Sequence, residues 1–378
     1  MMNDTDDTPL KKGAQDGPDK PELDAFRRQI DAIDEKILSL INERLRLAKG
    51  IGALKGVRKG QILDSARESE IVKRLFALNE GPISNEAIQI IFTEIFGTSR
   101  EMQQPQSVSY LGPEATFTHL AARGFFGRSS AFIPQASIRD VFEAVEKDSC
   151  NFGVVPVENS IEGAVNHTLD LFYESELKIC AEKYLTISHD LLSMAGSLKD
   201  IEVIYSHPQA FAQCRKWLRK YLPDALLKEC GSTADAAKRA SADIRAAAIA
   251  GNEAAQMYNL QVMASKIEDF ARNITRFLLI GKKGARPTGK DKTSLLFVTA
   301  HAPGALYKVL TPIADNGLNM VKLESRPSRH ENWSYCFFLD LEGHLDTPVV
   351  KETVDMMRGL CLFLKVLGSY PRAHEQTE

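Results

Sequence analysis

Apolar residues recur in alternating steps of three and four from Leu23 to Lys55: Phe26, Ile30, Ile33, Ile37, Leu40 or Ile41, Leu47 or Ala48, and Ile51. No proline interrupts the run, and the spacing predicts one long amphipathic helix. At about 1.5 Å per residue it would extend about 50 Å, too far for a segment of this size to cover its own stripe, so a partner helix from a second copy is expected. A second helical pattern follows Asp64 through Ile71, Leu75 and Leu78, and a third opens at Ser84 and runs through Ile88, Phe92 and Ile95. Polar side chains break every stripe. Arg44 and Lys55 interrupt the first, Asp64 with Arg67 or Glu68 opens the second, and Ser99 and Gln103 continue the third. One basic residue can snorkel to water from a half-buried position. So many leave two readings: a polar network that holds a bundle in register, or a cavity for an anionic ligand.

The pattern changes after Pro105. Residues 107–280 alternate short apolar runs with helical patterns, which predicts a mostly parallel sheet flanked by helices. "SVSYLGPEATFTHL", "NFGVVPVENSIEGAVNHTLDLF" and "IEVIYSHPQAFAQCRKWL" each pass from strand through turn to helix, with Pro208 at a first helical position. Open sheets bind ligands beyond their strand ends, where helix N-termini favour anions. Thr116, Glu158, Asn159, Ser160, Ser206, His207 and Gln213 lie there. Each also has a local explanation: Asn159, Ser160 or His207 as a cap, Glu158 as a solvated loop charge. "NITRFLLIG" closes the segment and sets Thr275 and Arg276 at the mouth of an apolar strand. A buried guanidinium needs a partner. Neighbouring strand residues point to opposite faces, so Thr275 and Arg276 share a pocket only if the strand ends or bulges between them.

Beyond the basic linker "GKKGARPTGKDKT" the order reads strand, helix, strand, strand, helix, strand, a split ferredoxin-like unit. "GALY" (Gly304, Ala305, Leu306, Tyr307) and "ESRP" (Glu324, Ser325, Arg326, Pro327) stand out in it, and Gly304 would let a ligand approach the backbone.

Composition narrows the functions. With 378 residues the chain is long enough for two or three cores, and its net charge of -3 gives no reason to expect nucleic acid or an anionic membrane. Six scattered cysteines without a C-x-x-C pair argue against zinc and a disulfide framework and read as reduced thiols. Residues 1–21 lack the apolar core of a signal peptide, and no later run is long enough to span a bilayer. A disordered tail on a cytoplasmic protein is expected. No phosphate loop, metal cluster or dinucleotide fingerprint is found, so no cofactor and no metal are expected.

Three resemblances connect these residues to chemistry. The spacing of Arg27, Arg44, Lys55, Asp64, Arg67, Glu68, Ser99 and Gln103 between Leu23 and Gln104 resembles the all-helical chorismate mutases. That resemblance implies that Arg44, with Arg27 from the partner chain, clamps the two carboxylates of chorismate. It implies that Lys55 and Gln103 donate to the breaking ether and that Glu68 holds the ring hydroxyl, with Asp64, Arg67 and Ser99 in support. "GPEATF", "VVPVENSIEG", "SHPQAFAQC", "STADAA", "AAIAGNEAA" and "NITRFLLIG" resemble, in order, the prephenate dehydratases, and Thr275, Arg276 and Phe277 are similar to that family's active-site triplet. The implied roles are a hydroxyl donor on the leaving group for Thr275 and orientation of substrate or water for Glu158, Asn159 and Gln213. Thr116, Ser160, Ser206, His207, Arg276 and Phe277 would be substrate contacts. Ala115 stands where that family usually has glycine, which puts the path of the turn in doubt. The last segment resembles an ACT domain, in which "GALY" and "ESRP" match stretches that bind phenylalanine, with Tyr307 in place of the more usual valine.

The expected architecture is therefore multidomain: an all-α chorismate mutase bundle (22–104), a two-lobed α/β dehydratase domain (107–283) and a βαββαβ ACT domain (293–371). The resemblances imply a bifunctional enzyme that turns chorismate into prephenate and prephenate into phenylpyruvate under feedback by phenylalanine, as a homodimer or higher homo-oligomer. An arogenate dehydratase and a non-catalytic metabolite sensor are the rival readings.

Overall fold

The computed structural model describes residues 20–57, 64–270, 272–327 and 335–373. The tail expected to be disordered falls outside them, apart from its last two residues, which open the first helix.

Three helices form the N-terminal domain: α1 (Lys20–Val57), α2 (Ser65–Leu78) and α3 (Asn85–Gln103). Two helix starts are set by side chains that satisfy orphan amides. The Asp64 carboxylate accepts from the Arg67 amide at 3.1 Å, and Ser84 Oγ accepts from the Ala87 amide at 3.1 Å. Gly52 brings α1 hard against α3, since a Cβ there would lie 2.7 Å from Gln103 Cγ. Further toward its N-terminus α1 is uncovered. Phe26 and Ile30 are each 56% exposed and Ile33 53%, which leaves the apolar stripe without a partner among the described residues.

The middle domain has two lobes. The first contains β1 (Ser107–Leu111), α4 (Phe117–Phe126), β2 (Ala131–Gln135), α5 (Ile138–Glu146), β3 (Phe152–Asn159), β4 (Gly163–Ala164), α6 (Asn166–Glu174) and β5 (Lys178–Thr186). The second contains β6 (Asp190–Ser193), β7 (Val203–Ser206), α7 (Pro208–Gln213), α8 (Arg215–Tyr221), β8 (Leu226–Glu229), α9 (Thr233–Ala240), β9 (Ala246–Ala250), α10 (Asn252–Tyr258) and β10 (Gln261–Ala264). The chain then returns to the first lobe as β11 (Ile274–Gly281). The sheet orders are β2-β1-β3-β11-β5, with β4 added to β3, and β10-β6-β9-β7-β8.

The sheets are mixed, which corrects the expectation of a mostly parallel one. Parallel pairing is confined to β2-β1-β3 and β9-β7-β8, the strands joined by helical crossovers. The strands that enter and leave at the two interlobe crossings, β5, β6, β10 and β11, pair antiparallel. Ala234, Ala237, Ala246 and Ala248 fill the second lobe's core, and side chains this small let α9 lie close on the sheet.

The C-terminal domain runs β12 (Asp291–Val298), α11 (Ala305–Asp315), β13 (Met320–Pro327), β14 (Tyr335–Glu342), α12 (Pro348–Leu360) and β15 (Phe363–Pro371), with sheet order β13-β14-β12-β15. This is the expected βαββαβ order. It is not a separate body on a linker. Leu296, Val298, Phe338 and Leu367 share one apolar core with Val155, Val157, Leu278 and Ile280 of the first lobe. Gly368 permits this docking, because a Cβ there would meet Ile179 O at 2.4 Å. A second seam joins α3 to α4. A Cβ on Gly97 would lie 2.2 Å from Phe126 O, so only glycine allows that approach.

Candidate functional site

In the helical domain α1, α2 and α3 bring four of the expected residues together. Arg44 Nη1 donates to Ser99 Oγ at 2.6 Å, and the guanidinium lies over the Phe96 ring at 5.2 Å. Ser99 Oγ in turn donates to Ile95 O, which fixes the direction of the first bond. Glu68 is paired with Arg100, and burial raises its pKa despite the opposing pull of Arg100 and Arg44. Gln103 Nε2 donates to Ser99 O at 3.2 Å, while its Oε1 is buried without a partner among the described residues. A cation, a carboxyl group and a carboxamide whose oxygen is unspent thus converge beside Gly52.

The other expected residues sit apart. Lys55 lies in the last turn of α1, its side chain outside the described residues. Asp64 caps α2, and Arg67 is exposed and paired with Glu70. Arg27 is exposed near the start of α1, 3.3 Å from Asp24. Arg100 was not a candidate in the sequence. It is 2% exposed, pairs with Glu68 and donates to Phe125 O at 3.2 Å, so it ties this site to the middle domain.

The α/β site lies where the ends of β3 and β11 meet the second lobe. Asn159 Oδ1 accepts from the amides of Ile161 and Glu162 at 3.0 and 3.1 Å. Its Nδ2 donates to Asn273 Oδ1 at 2.6 Å and to Thr275 Oγ1 at 2.8 Å. Asn273 Nδ2 donates to Gln213 Oε1 at 3.0 Å, which also lies 2.8 Å from His189 Nε2. Asn159, Gln213 and Thr275 are each 8% exposed. The network is therefore almost closed to bulk water.

Thr275 and Arg276 face opposite ways, as the alternation of a continuous strand requires. The register irregularity beside Arg276 falls after it and does not bring the two together. Expected at the substrate, Arg276 instead faces the C-terminal domain. It reaches Asp340 at 2.7 Å, Glu182 at 2.8 Å and the Tyr370 hydroxyl at 2.9 Å. Glu158 takes the same face one residue before Asn159, and Lys322 of β13 reaches it at 2.7 Å. The structure brings neither into the Asn159 network.

Four more candidates have local roles. Thr116 Oγ1 caps α4 by accepting from the His119 amide, and His207 Nδ1 accepts from the Gln209 amide. Ser206 is fully buried and donates to Ile249 O, while Ser160 Oγ accepts from the Ile274 amide and donates to Arg272 O. Phe277 is core. Ala115 adopts φ 63, the left-handed backbone that explains a usual glycine there.

His189 and Asn273 complete the network and were not candidates. Asn273 had a signal, two residues before Thr275. His189 had none, since a single histidine in "TISHDLL" reads as core.

A cavity of about 1550 Å³ lies at the junction of the three domains, lined by Glu68, Phe125, Lys183, Arg276 and Lys292 among others. Thr275 does not line it. Arg276 and Lys292 are already neutralised by Glu182 and Asp340, so this space is a seam between domains. A smaller pocket of about 190 Å³ opens at the N-terminus of α11, where Gly304 has φ 73, lined by Ala305, Leu306, Tyr307 and Phe337 among others. Glu324 to Pro327 lie on β13, outside that pocket, and Arg326 pairs with Asp170 of α6.

Comparison with known proteins assigns each unit. Family models match for chorismate mutase type II over residues 26–104, prephenate dehydratase over 108–285 and the ACT domain over 293–355. The bifunctional chorismate mutase/prephenate dehydratase of Aquifex aeolicus is 47% identical over 93% of this chain and 98% of its own. The structure of a prephenate dehydratase from Arthrobacter aurescens in complex with L-Phe has a TM-score of 0.65 at 33% identity, covering 70% of this chain and 90% of that one. A structure described as a novel type of quorum quenching acylase has the same TM-score at 28% identity, covering 71% of this chain and 98% of that one. The fold alone therefore does not decide the chemistry. With both catalytic domains and the ACT domain present, and a relative this similar along nearly its whole length, the chain belongs to the bifunctional chorismate mutase/prephenate dehydratase family.

Proposed function

We propose that the helical domain rearranges chorismate to prephenate, that the α/β domain converts prephenate to phenylpyruvate, and that phenylalanine regulates the second step from the ACT domain. One observation carries the dehydratase reading. Thr275 Oγ1 already accepts from Asn159, so its own hydrogen is free to turn toward a ligand. Prephenate loses carbon dioxide and hydroxide as the ring becomes aromatic. The electrons of the carbon–carboxylate bond enter the ring and the carbon–oxygen bond to the hydroxyl breaks. A donor on that oxygen stabilises the charge it gains, and Thr275 supplies it.

The mutase step is intramolecular, so the protein need only hold one compact conformer and favour charge on the breaking ether. Arg44 offers a planar fork for a carboxylate once a ligand displaces Ser99. Gln103 and Lys55 serve the ether oxygen, and Glu68, whose pKa is raised by burial, serves the ring hydroxyl. The uncovered stripe of α1 supports a homodimer. In the ACT domain, the pocket at Gly304 supports an amino-acid effector completed by the "ESRP" strand of a second copy. Six cysteines without a disulfide suit the reducing cytoplasm.

The test is a coupled assay in which the purified full chain receives chorismate and phenylpyruvate is measured, with prephenate and arogenate supplied separately. Phenylpyruvate from chorismate and from prephenate is expected. No product from either would make the protein a sensor, and faster turnover of arogenate would make it an arogenate dehydratase.

A further inference from the structure

We infer that His189 is a positioning residue of the dehydratase, held as the Nε2–H tautomer, and that it turns the Gln213 carboxamide so that its nitrogen faces a substrate oxygen. The inference rests on the assignment of the Asn159–Thr275 network as the dehydratase site, and it follows from the direction of each hydrogen bond there.

Two backbone amides fix all the directions. The amides of Ile161 and Glu162 can only donate, so the Asn159 atom they meet is oxygen. Asn159 Nδ2 then has two hydrogens, and it spends one on Asn273 Oδ1 and the other on Thr275 Oγ1. Because Asn273 uses its oxygen there, its nitrogen must face Gln213, and it donates to Gln213 Oε1. The atom of Gln213 at the centre of the network is therefore its oxygen. His189 Nε2 lies 2.8 Å from that same oxygen, so it too must donate. The choice of tautomer is a consequence of the Ile161 and Glu162 amides, two bonds removed.

The remaining atoms agree. His189 is 3% exposed, and its Nδ1 has no partner among the described residues. A hydrogen on Nδ1 would be a buried donor with nothing to accept it. Glu268 and Asp190 are the acidic groups beside the ring and favour the charged form, but burial is the larger influence and keeps the pKa below its usual value. Glu268 is also committed, accepting from the His189 amide at 2.9 Å and from Ser188 Oγ at 3.0 Å. The Phe117 ring packs edge-on against the imidazole, with centroids 5.8 Å apart, and restricts its rotation.

Gln213 is the output. Its Oε1 receives two donors, and no described residue takes up its Nε2 hydrogens. A substrate carboxylate or keto oxygen is the group that fits them. Without His189 the carboxamide loses one of the two bonds that hold this orientation. Water or a flipped amide could then present oxygen to an anionic substrate.

Three full-length variants test this, with the mutase rate of the same chain as the control for folding. His189→Leu should lower dehydratase kcat/KM by roughly tenfold to a hundredfold, the range a misplaced contact costs. His189→Gln, which can again place a nitrogen donor near Gln213, should recover most of the loss. Thr275→Ala, measured alongside, reports whether this network is the dehydratase site at all. Nitrogen-15 NMR of histidine-labelled wild-type protein, which needs no variant, should show one ring protonated on Nε2 and bare on Nδ1 from pH 6 to 8, and His189→Gln identifies its signal. The inference is overturned if that ring is Nδ1–H or doubly protonated at pH 7, or if His189→Leu and His189→Gln are equally impaired while the mutase rate is intact. If Thr275→Ala turns over prephenate at the wild-type rate, the site assignment fails instead.

Discussion

Thr275 and Arg276 are consecutive on β11, yet Thr275 Oγ1 lies 2.8 Å from Asn159 Nδ2 while Arg276 Nη1 lies 2.7 Å from Asp340 of the C-terminal domain. A single step of strand alternation separates the proposed leaving-group donor, held in the Asn159 network, from the group that docks the ACT sheet. Glu158 and Asn159 repeat the arrangement on β3, with Lys322 of the ACT domain gripping the outward residue. Both inward residues are thus backed by ion pairs to the same domain.

Thr275→Ala should reduce dehydratase turnover by on the order of a hundredfold, the cost of losing one preorganised donor, while the mutase continues and prephenate accumulates. Thr275→Ser keeps the hydroxyl and should retain much of the rate. Equal activity of the alanine and serine variants would remove Thr275 from the mechanism.

Arg276→Met should destabilise the chain by about 3–5 kcal/mol, because among the described residues it leaves Lys292 as the one cation serving the buried carboxylates of Glu182 and Asp340. The pair also predicts a pH dependence. Burial raises the Asp340 pKa, but Arg276, Lys292 and the hydrogen bond from Ser294 together outweigh it and the net shift is downward. A carboxylate lowered on folding contributes stability above its unfolded pKa of about 4, and that contribution is lost as pH falls below this value. Urea midpoints measured from pH 7 to pH 3 should fall more steeply below pH 4 in the wild type than in Asp340→Asn. Parallel curves would remove Asp340 as an acid-sensitive contact.

What could be read from the sequence followed the range of the interaction. Helix starts at Asp64 and Ser84 were legible because a cap and its amide are three residues apart. Strand alternation warned that Thr275 and Arg276 would diverge, but the partners of Arg276 lie in other elements, at Glu182, Asp340 and Tyr370. His189 reaches Gln213 across 24 residues and Arg100 reaches Glu68 across 32, with no periodicity to betray either. The mixed sheets escaped for a related reason, since the return of β11 to the first lobe is a matter of long-range topology.

The shared core makes a prediction about truncation. A chain ending near Gly284 would uncover Val155, Val157, Leu278 and Ile280, which pack against Leu296, Val298, Phe338 and Leu367. It would also strip Asp340 and Tyr370 from Arg276. Such a chain should aggregate or unfold at lower temperature than the full protein, so loss of phenylalanine response in it would not isolate the effector site. Gly304→Ala in the full chain is the cleaner variant. It strains a φ of 73 at the mouth of the α11 pocket and should weaken phenylalanine inhibition while leaving turnover near normal. Thermal melts of both proteins, with inhibition curves for the second, separate these outcomes.

The last prediction concerns Arg27. It is separated from Arg44 by 17 positions on one continuous helix, about 25 Å along the axis, so it cannot serve the Arg44 site of its own chain. It is 66% exposed, and the uncovered stripe of Phe26, Ile30 and Ile33 lies beside it. If two α1 helices pair antiparallel, each Arg27 approaches the other chain's Arg44. Arg27→Ala and Arg44→Ala should then each abolish most mutase activity as pure proteins. A refolded equal mixture should regain about one intact site in four, because half the dimers are mixed and each holds one unmutated site. Dehydratase activity serves as the measure of refolded chain. A mixture no more active than its components would show that Arg27 acts within its own chain or not at all.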